Sequence, residues 1–281
     1  MNEAAVPAVL GLGAAFLWGT ADFFAKRHTD NDGSLRTLFW LYLVGTPIFL
    51  GAWLWGGAPG APLAAVSLWI LSGILNAVAY VALYRGFRVG LLSVVSTTNA
   101  SWAAFTVLLA VVFLGERPDS LATTGIFLTV AGVVLVAYPG GEWRVRAPGF
   151  VEGFVSAFLF GASFFLLKLP LAQGDVLAQS TVMRMVGLLL VGGFLVYQGV
   201  RLTRAYAKRP PLFSFLDSAG FLVFIAALAA GATFLVAPLA SLMTPITVIL
   251  AAVFLHERLK PHQWAGFGLV ILGALLLAGQ I

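Results

Sequence analysis

Apolar residues in this chain follow neither the period of two of a half-buried strand nor the one-sided stripe of a soluble helix. They form stretches of roughly 20 residues, apolar on every face, separated by short connections rich in turn residues. Such connections read HTDNDGS, GGAPGAP, GERPDS, YPGGEWRVRAPG and KRPPLFS. A helix with no polar face belongs in hydrocarbon, where it satisfies its own backbone. The pattern predicts ten spans, near residues 5–25, 35–55, 64–84, 91–114, 121–138, 150–170, 180–199, 218–236, 238–255 and 263–280. The longest connection is expected at 200–217, and Pro238 and Pro245 punctuate the spans around the tightest break. Continuous rather than alternating apolarity excludes a membrane β-barrel.

Composition strengthens this picture. Of 281 residues, 60% are hydrophobic and 10% charged, whereas soluble domains carry about 25% charged residues. The net charge of +5 is no sign of nucleic-acid binding, because the basic residues sit in the connections, where they orient the spans. The chain has no Cys, which excludes disulfides, thiolate metal sites and thiol catalysis together. The first apolar stretch begins MNEAAVPAV without a basic flank, so it is expected to be a resident helix and not a cleaved signal.

Two segments repeat. AAFLWGTADFFAK (14–26) returns as SAFLFGASFFLLK (156–168), keeping the Gly and the Lys while Asp22 gives way to Phe164. The stretch at 111–137 aligns without a gap on 252–278, matching Glu116 and Arg117 to Glu257 and Arg258, Gly125 to Gly266 and Gly132 to Gly273. The chain therefore reads as two homologous five-span halves, 1–141 and 142–281. An odd number of spans per half makes the halves enter the membrane from opposite sides, the inverted repeat of many secondary transporters. The connection between spans 2 and 3 has no basic residue, whereas its equivalent between spans 7 and 8 has four. That difference fits two antiparallel copies.

Ten spans in two halves, FLWGT in the first helix, and FLGERP and FLHERLKPHQWAG closing spans 4 and 9 resemble the EamA branch of the drug/metabolite transporter superfamily over essentially the whole chain. The resemblance implies an all-α integral membrane protein. Spans 1–4 and 6–9 would surround a central cavity, with spans 5 and 10 peripheral. It also implies transport of amino acids, other metabolites, sugars or drugs, often outward. The chain departs from the pattern in lacking a proline in span 4, where Ala104 stands opposite Pro245 of span 9. The cytoplasmic termini usual in the family also run against the charge distribution.

Polar side chains in hydrocarbon cost a few kcal/mol each, so each asks for an explanation. Asp22 either pairs with Lys26 one turn on or forms a substrate-cation or proton site, which makes it the coupling candidate. Glu116, Arg117, Glu257 and Arg258 close spans 4 and 9; a gate is one reading, and a structural turn in each half is the favoured one. Span 4 places Thr98, Asn99 and Trp102 together, suited either to an ammonium-bearing ligand or to helix–helix hydrogen bonds. Asn76 and Tyr80 share a face of span 3, and Tyr84 reads as an interfacial anchor. Trp18, Phe23, Phe160, Phe164, Thr233, Met243 and Thr244 complete an expected asymmetric site, more polar in the first half. Arg184 lies within span 7, where it either snorkels or meets a substrate carboxylate.

There is no phosphate-binding loop, no histidine cluster at metal-ligand spacing and no catalytic triad pattern. The sequence thus predicts a non-enzymatic secondary transporter without cofactor or metal. Its expected cargo is a small polar or zwitterionic metabolite, an amino acid first, moved outward by alternating access. The alternatives are a passive facilitator or channel and a non-transporting membrane assembly protein. The expected partners are the substrate, the bilayer and a proton or cation gradient, with no nucleic acid, for a monomer in the plasma membrane. Thirteen of the 16 Lys and Arg residues fall in the connections of one face. The positive-inside rule then places both termini outside. A reporter fused after Ile281 is expected to be accessible from the external side; a cytoplasmic reporter signal would contradict the charge distribution.

Overall fold

A computed structural model describes residues 5–57, 60–115, 120–138, 147–169, 174–200, 211–230, 240 and 242–278. Among them the chain forms helices α1 (Ala5–Asp32), α2 (Ser34–Trp55), α3 (Leu63–Val89), α4 (Leu92–Asn99), α5 (Trp102–Leu114) and α6 (Ser120–Ala137). The second half contributes α7 (Phe150–Lys168), α8 (Val176–Tyr197), α9 (Leu212–Ala230), α10 (Met243–Phe254) and α11 (Pro261–Ala278). The short α4 and α5 are two pieces of span 4, interrupted at Ala100 and Ser101. The remaining helices correspond one to one with the other expected spans. Among the described residues, five helical stretches are individually long and apolar enough to cross a membrane: Ser34–Trp55, Leu63–Val89, Leu92–Leu114, Phe150–Leu167 and Val176–Tyr197.

Two boundaries differ from expectation in ways that matter. Helix α8 starts at Val176, because Asp175 caps it by accepting a hydrogen bond from the Ala178 amide at 2.6 Å. Helix α9 starts at Leu212, immediately after Pro211, whose carbonyl accepts from the Ser214 amide. The connection expected to run to 217 is therefore shorter, and Asp217 lies inside a membrane helix.

The helices pack mainly across the two halves. Helix α1 lies on α9, α3 on α7, α2 on α8, and α6 on α11. These pairs are antiparallel. Along α3 and α7, Ser72 meets Ser163, Tyr80 meets Phe160 and Gly86 meets Glu152. Along α2 and α8, Tyr42 meets Gly187 while Gly45 meets Arg184. The pairing of span 1 with span 8 is the image of that of span 6 with span 3, as a pseudo-twofold relation between inverted halves requires.

The repeated glycines mark where this relation is tightest. A Cβ on Gly132 would come 2.6 Å from the Gly266 carbonyl oxygen, and one on Gly273 would come 2.6 Å from that of Gly125. These two contacts exchange under the repeat, and small residues let the α6 and α11 backbones approach. The glycines of the repeated segments 14–26 and 156–168 behave alike. Gly19 packs on Met243 and Ile246 of α10, and its carbonyl accepts from Thr247 Oγ1 at 3.3 Å. Gly161 packs on Trp102 and Phe105 of α5, and its carbonyl accepts from Thr106 Oγ1 at 3.2 Å. Thr106 and Thr247 are equivalent positions, so one helix crossing is built twice.

The halves differ at the ends of spans 4 and 9. Gly115 terminates α5 in the left-handed conformation at φ 66°, and the equivalent His256 adopts φ 55° after α10. An L-residue in that region is disfavoured by about 1 kcal/mol relative to glycine. Replacing His256 by Gly is expected to raise the melting temperature of the detergent-solubilised protein, with the gain absent for His256→Ala. Equal melting temperatures for the two variants would show that the backbone there is unstrained.

Candidate functional site

Helix α9 carries Asp217 into the protein interior opposite Arg184 of α8. Both side chains are buried, and Arg184 Nη2 donates to Asp217 Oδ2. Burial of two charges is tolerable only where each is paired and further satisfied. Asp217 Oδ1 accepts a long hydrogen bond from the Tyr80 hydroxyl at 3.4 Å, and the Asp217 carbonyl accepts from Trp18 Nε1 at 3.2 Å. The guanidinium is enclosed by aromatic rings: its carbon lies 5.2 Å from the Phe49 centroid, 5.7 Å from Phe221 and 5.9 Å from Tyr42. Glycine makes the room, since Gly45 lies against Arg184 and Ser218, and Gly187 under the Tyr42 ring.

The polar groups here are only partly satisfied. Arg184 Nη1, the Tyr42 hydroxyl and the Ser218 hydroxyl are buried without a hydrogen-bond partner. A small cavity lined by Asn76, Tyr80, Ser180, Met183, Arg184 and Phe221 adjoins them. It has room for a water-sized molecule rather than a metabolite. Asp22 of α1 lies within electrostatic reach of Asp217, Tyr80 and Tyr84. It is not paired with Lys26, which instead meets Asp30 at 2.8 Å. The interfacial ion pair expected at Asp22 is therefore replaced by a pair one turn further out. Five helices, α1, α2, α3, α8 and α9, thus bring two acids, one arginine and three tyrosines together.

The other residues selected from the sequence divide between this cluster and packing. Trp18 packs on Phe221 and Phe224 as well as bonding α9. Phe160 joins the cluster edge-on to Tyr80, with centroids 4.9 Å apart. Trp102 and Phe164 face each other at 4.8 Å, and Phe23 is buried against Phe254. Asn99 accepts from Ser156 Oγ at 2.9 Å, a helix–helix bond between α4 and α7. Thr98 is fully buried beside Gly153, its hydroxyl unpartnered. Met243 and Thr244 begin α10, where Met243 meets Gly19. Tyr84, expected at the membrane interface, is buried; it packs on Phe87 and Phe213, and its carbonyl accepts from Ser34. Thr233, Glu116 and Arg117 lie outside the described residues.

Glu257 has a tertiary role that its local turn did not reveal. Its carboxylate accepts from the amides of Leu92 at 2.7 Å and Ser93 at 2.9 Å and from the Ser93 hydroxyl, capping α4 of the other half. Arg258 is exposed. At the same end Arg85 of α3 approaches Glu152 of α7 at 3.5 Å, and Gly90 packs on Pro148 and Gly149. The two halves therefore touch at this end through α3, α4, α7 and Glu257, beyond the end of α10.

The EamA-like transporter family model matches residues 6–138 and again 147–279. The chain belongs to this family. As an EamA-like protein it is a multi-pass membrane transporter of the drug/metabolite type, and members of the family are transporters rather than enzymes. A solved structure titled "Crystal structure of protein" is 14% identical, with 97% of each chain covered and a TM-score of 0.57. That likeness concerns the fold. No curated protein matches the chain significantly.

Within this EamA-like fold, Asp217 is the member of the buried cluster that the sequence reading did not select. Its signal was Pro211 followed by the apolar LFSFL, which opens the helix ahead of the acid. Truncating either Arg184 or Asp217 to Ala is expected to destabilise the protein by about 3–5 kcal/mol, because the remaining charge is buried alone. Replacing both, as Arg184→Met with Asp217→Leu, should recover most of that loss. Thermal unfolding of the four proteins in detergent checks this, and additive losses would show that the two residues act separately.

Proposed function

We propose that the protein is a secondary transporter of small zwitterionic metabolites, with amino acids as the first candidates. The observation that supports it most is the buried arginine with one unpartnered nitrogen, set among aromatic rings with a second acid nearby. Arg184 takes the carboxylate of the cargo, because a planar guanidinium offers paired donors matched to carboxylate geometry. Asp22 takes the ammonium group, and Trp18, Tyr80 and Phe160 supply the apolar and aromatic wall. Asn76 lies at the cavity rim and adds a neutral hydrogen-bonding group.

Transport follows by alternating access. The halves 1–141 and 142–281 rock about the site, and the contacts of Glu257 with α4 and of Arg85 with Glu152 open and re-form at one end. The small cavity fits an occluded, unloaded state, in which the arginine rests on Asp217. Outward movement of the cargo through the plasma membrane is the direction we favour, with the termini outside.

Counterflow tests the reading. Proteoliposomes loaded with a mixture of unlabelled L-amino acids should accumulate the labelled mixture transiently, as a carrier does and an open channel does not. Asp22→Asn is expected to raise the half-saturation concentration about tenfold or more, the loss of one charge-assisted contact, while membrane insertion stays intact. Unchanged saturation in that variant would remove Asp22 from the site.

A further inference from the structure

Three buried polar groups beside the Arg184–Asp217 pair have no hydrogen-bond partner among the described residues. They are Arg184 Nη1 on α8, the Tyr42 hydroxyl on α2 and the Ser218 hydroxyl on α9. All three can donate, and a buried donor left unbonded costs the desolvation of the group. Three donors without an acceptor match an oxygen-bearing ligand and not a further cation.

Their placement follows from the duplication. LYLVG (41–45) aligns with MRMVG (183–187), so Tyr42 is the equivalent of Arg184 and Gly45 of Gly187. The α2–α8 crossing therefore exchanges with itself under the repeat, with Tyr42 packed on Gly187 and Arg184 on Gly45. The two glycines let Arg184 and Tyr42 enter this crossing from opposite helices, the guanidinium carbon 5.9 Å from the Tyr42 centroid. A Cβ on Gly45 would stand 3.0 Å from Ser218 Oγ and 3.5 Å from Arg184 Nη1. The missing side chain thus leaves both donors open toward the same face of α2. Arg184 Nη2 is already bonded to Asp217, so a ligand at Nη1 leaves the buried pair intact.

We propose that Arg184 Nη1, Ser218 and Tyr42 form a carboxylate subsite at the Gly45 crossing, which seats the cargo's carboxylate while Arg184 remains paired with Asp217. This inference rests on the amino-acid cargo proposed above; it adds Ser218 and Tyr42 as binding residues and Gly45 as the residue that sets the room. A carboxylate has two oxygens and accepts from a guanidinium and a hydroxyl at once, and such charge-assisted bonds are the stronger kind. In the unloaded state α2 and α8 close over the donors, with Thr46 Oγ1 donating to the Arg184 carbonyl at 3.2 Å. The two helices belong to different halves, so rocking of the halves parts this crossing and admits the carboxylate.

The test uses the full chain in proteoliposomes, given the labelled mixture of L-amino acids with the corresponding L-amino-acid amides as competitors. The amides keep the ammonium and lose the carboxylate. Wild type should prefer the acids by about tenfold or more. Ser218→Ala and Tyr42→Phe should each raise the half-saturation concentration of the acids about tenfold and leave inhibition by the amides unchanged. Gly45→Ala, whose methyl pushes Ser218 Oγ aside, should do the same. Without cargo, Ser218→Ala and Tyr42→Phe should melt in detergent no lower than wild type, because each removes a hydroxyl that has no partner. If one variant does not assemble, the remaining two decide. A lowered melting temperature, or equal losses for acids and amides, would show that the hydroxyls hold helices together and overturns the subsite. Unchanged saturation by the acids in all three variants also overturns it and leaves the cargo assignment standing. Equal handling of acids and amides by wild type overturns the subsite and the role of Arg184 in carboxylate recognition. No exchange of any amino acid by wild type overturns the cargo assignment and the subsite together.

Discussion

An arginine placed within an apolar span must find a negative partner, because hydrocarbon offers neither water nor counter-ions. Arg184 finds it in Asp217 on the next helix, and much of the centre of the protein is arranged around that need. The donors Tyr80 and Trp18 bonded to Asp217, the aromatic rings over the guanidinium, and Gly45 and Gly187 beside it all serve one buried pair. Helices α1, α2 and α3 of the first half converge on a pair carried entirely by the second. That convergence makes the site a property of both halves together.

The same economy of space governs the packing. In a bilayer, helices gain little from burying apolar surface against one another, so close van der Waals contact and interhelical hydrogen bonds hold them together. Gly19 and Gly161 admit the backbone of spans 9 and 4 and expose carbonyls that Thr247 and Thr106 reach. The α6–α11 crossing has glycine on both sides, Gly132 against Gly266 and Gly273 against Gly125 and Thr129. Glu257 meets a different need, the open amides at the start of α4, and does so from the other half of the chain. Its contact is made across the interface between the halves rather than within the turn that the sequence suggested.

Several residues of the buried cluster were legible in advance for a clear reason. Arg184, Asp22, Tyr80 and Asn76 are polar groups in runs with no other use for polarity, so composition alone made them conspicuous. Asp217 was not conspicuous, because a helix boundary set six residues too late left it in a connection where an acid is ordinary. Asn99 and Thr98 looked equally conspicuous, and Asn99 Oδ1 accepts from Ser156, a partner on another helix that sequence spacing cannot name. Tyr84 had the position of an interfacial anchor, but α3 continues past it to Val89 and carries it inside.

The sequence by itself determined the membrane class, the count of spans, the duplication and its inversion. Each of these follows from periodicity, hydropathy and parity along one chain. Even the glycine and the lysine of the segment 14–26 were visible as features repeated at 156–168. Only the tertiary structure decided that the halves interleave, that Lys26 turns to Asp30, and that Arg184 and Asp217 meet with Asp22 nearby. Those outcomes depend on the angles and depths at which helices cross, which side chains of several distant segments fix together. The asymmetry first seen as an aspartate missing from one repeat thus acquires its meaning from a second aspartate on a helix of the opposite half.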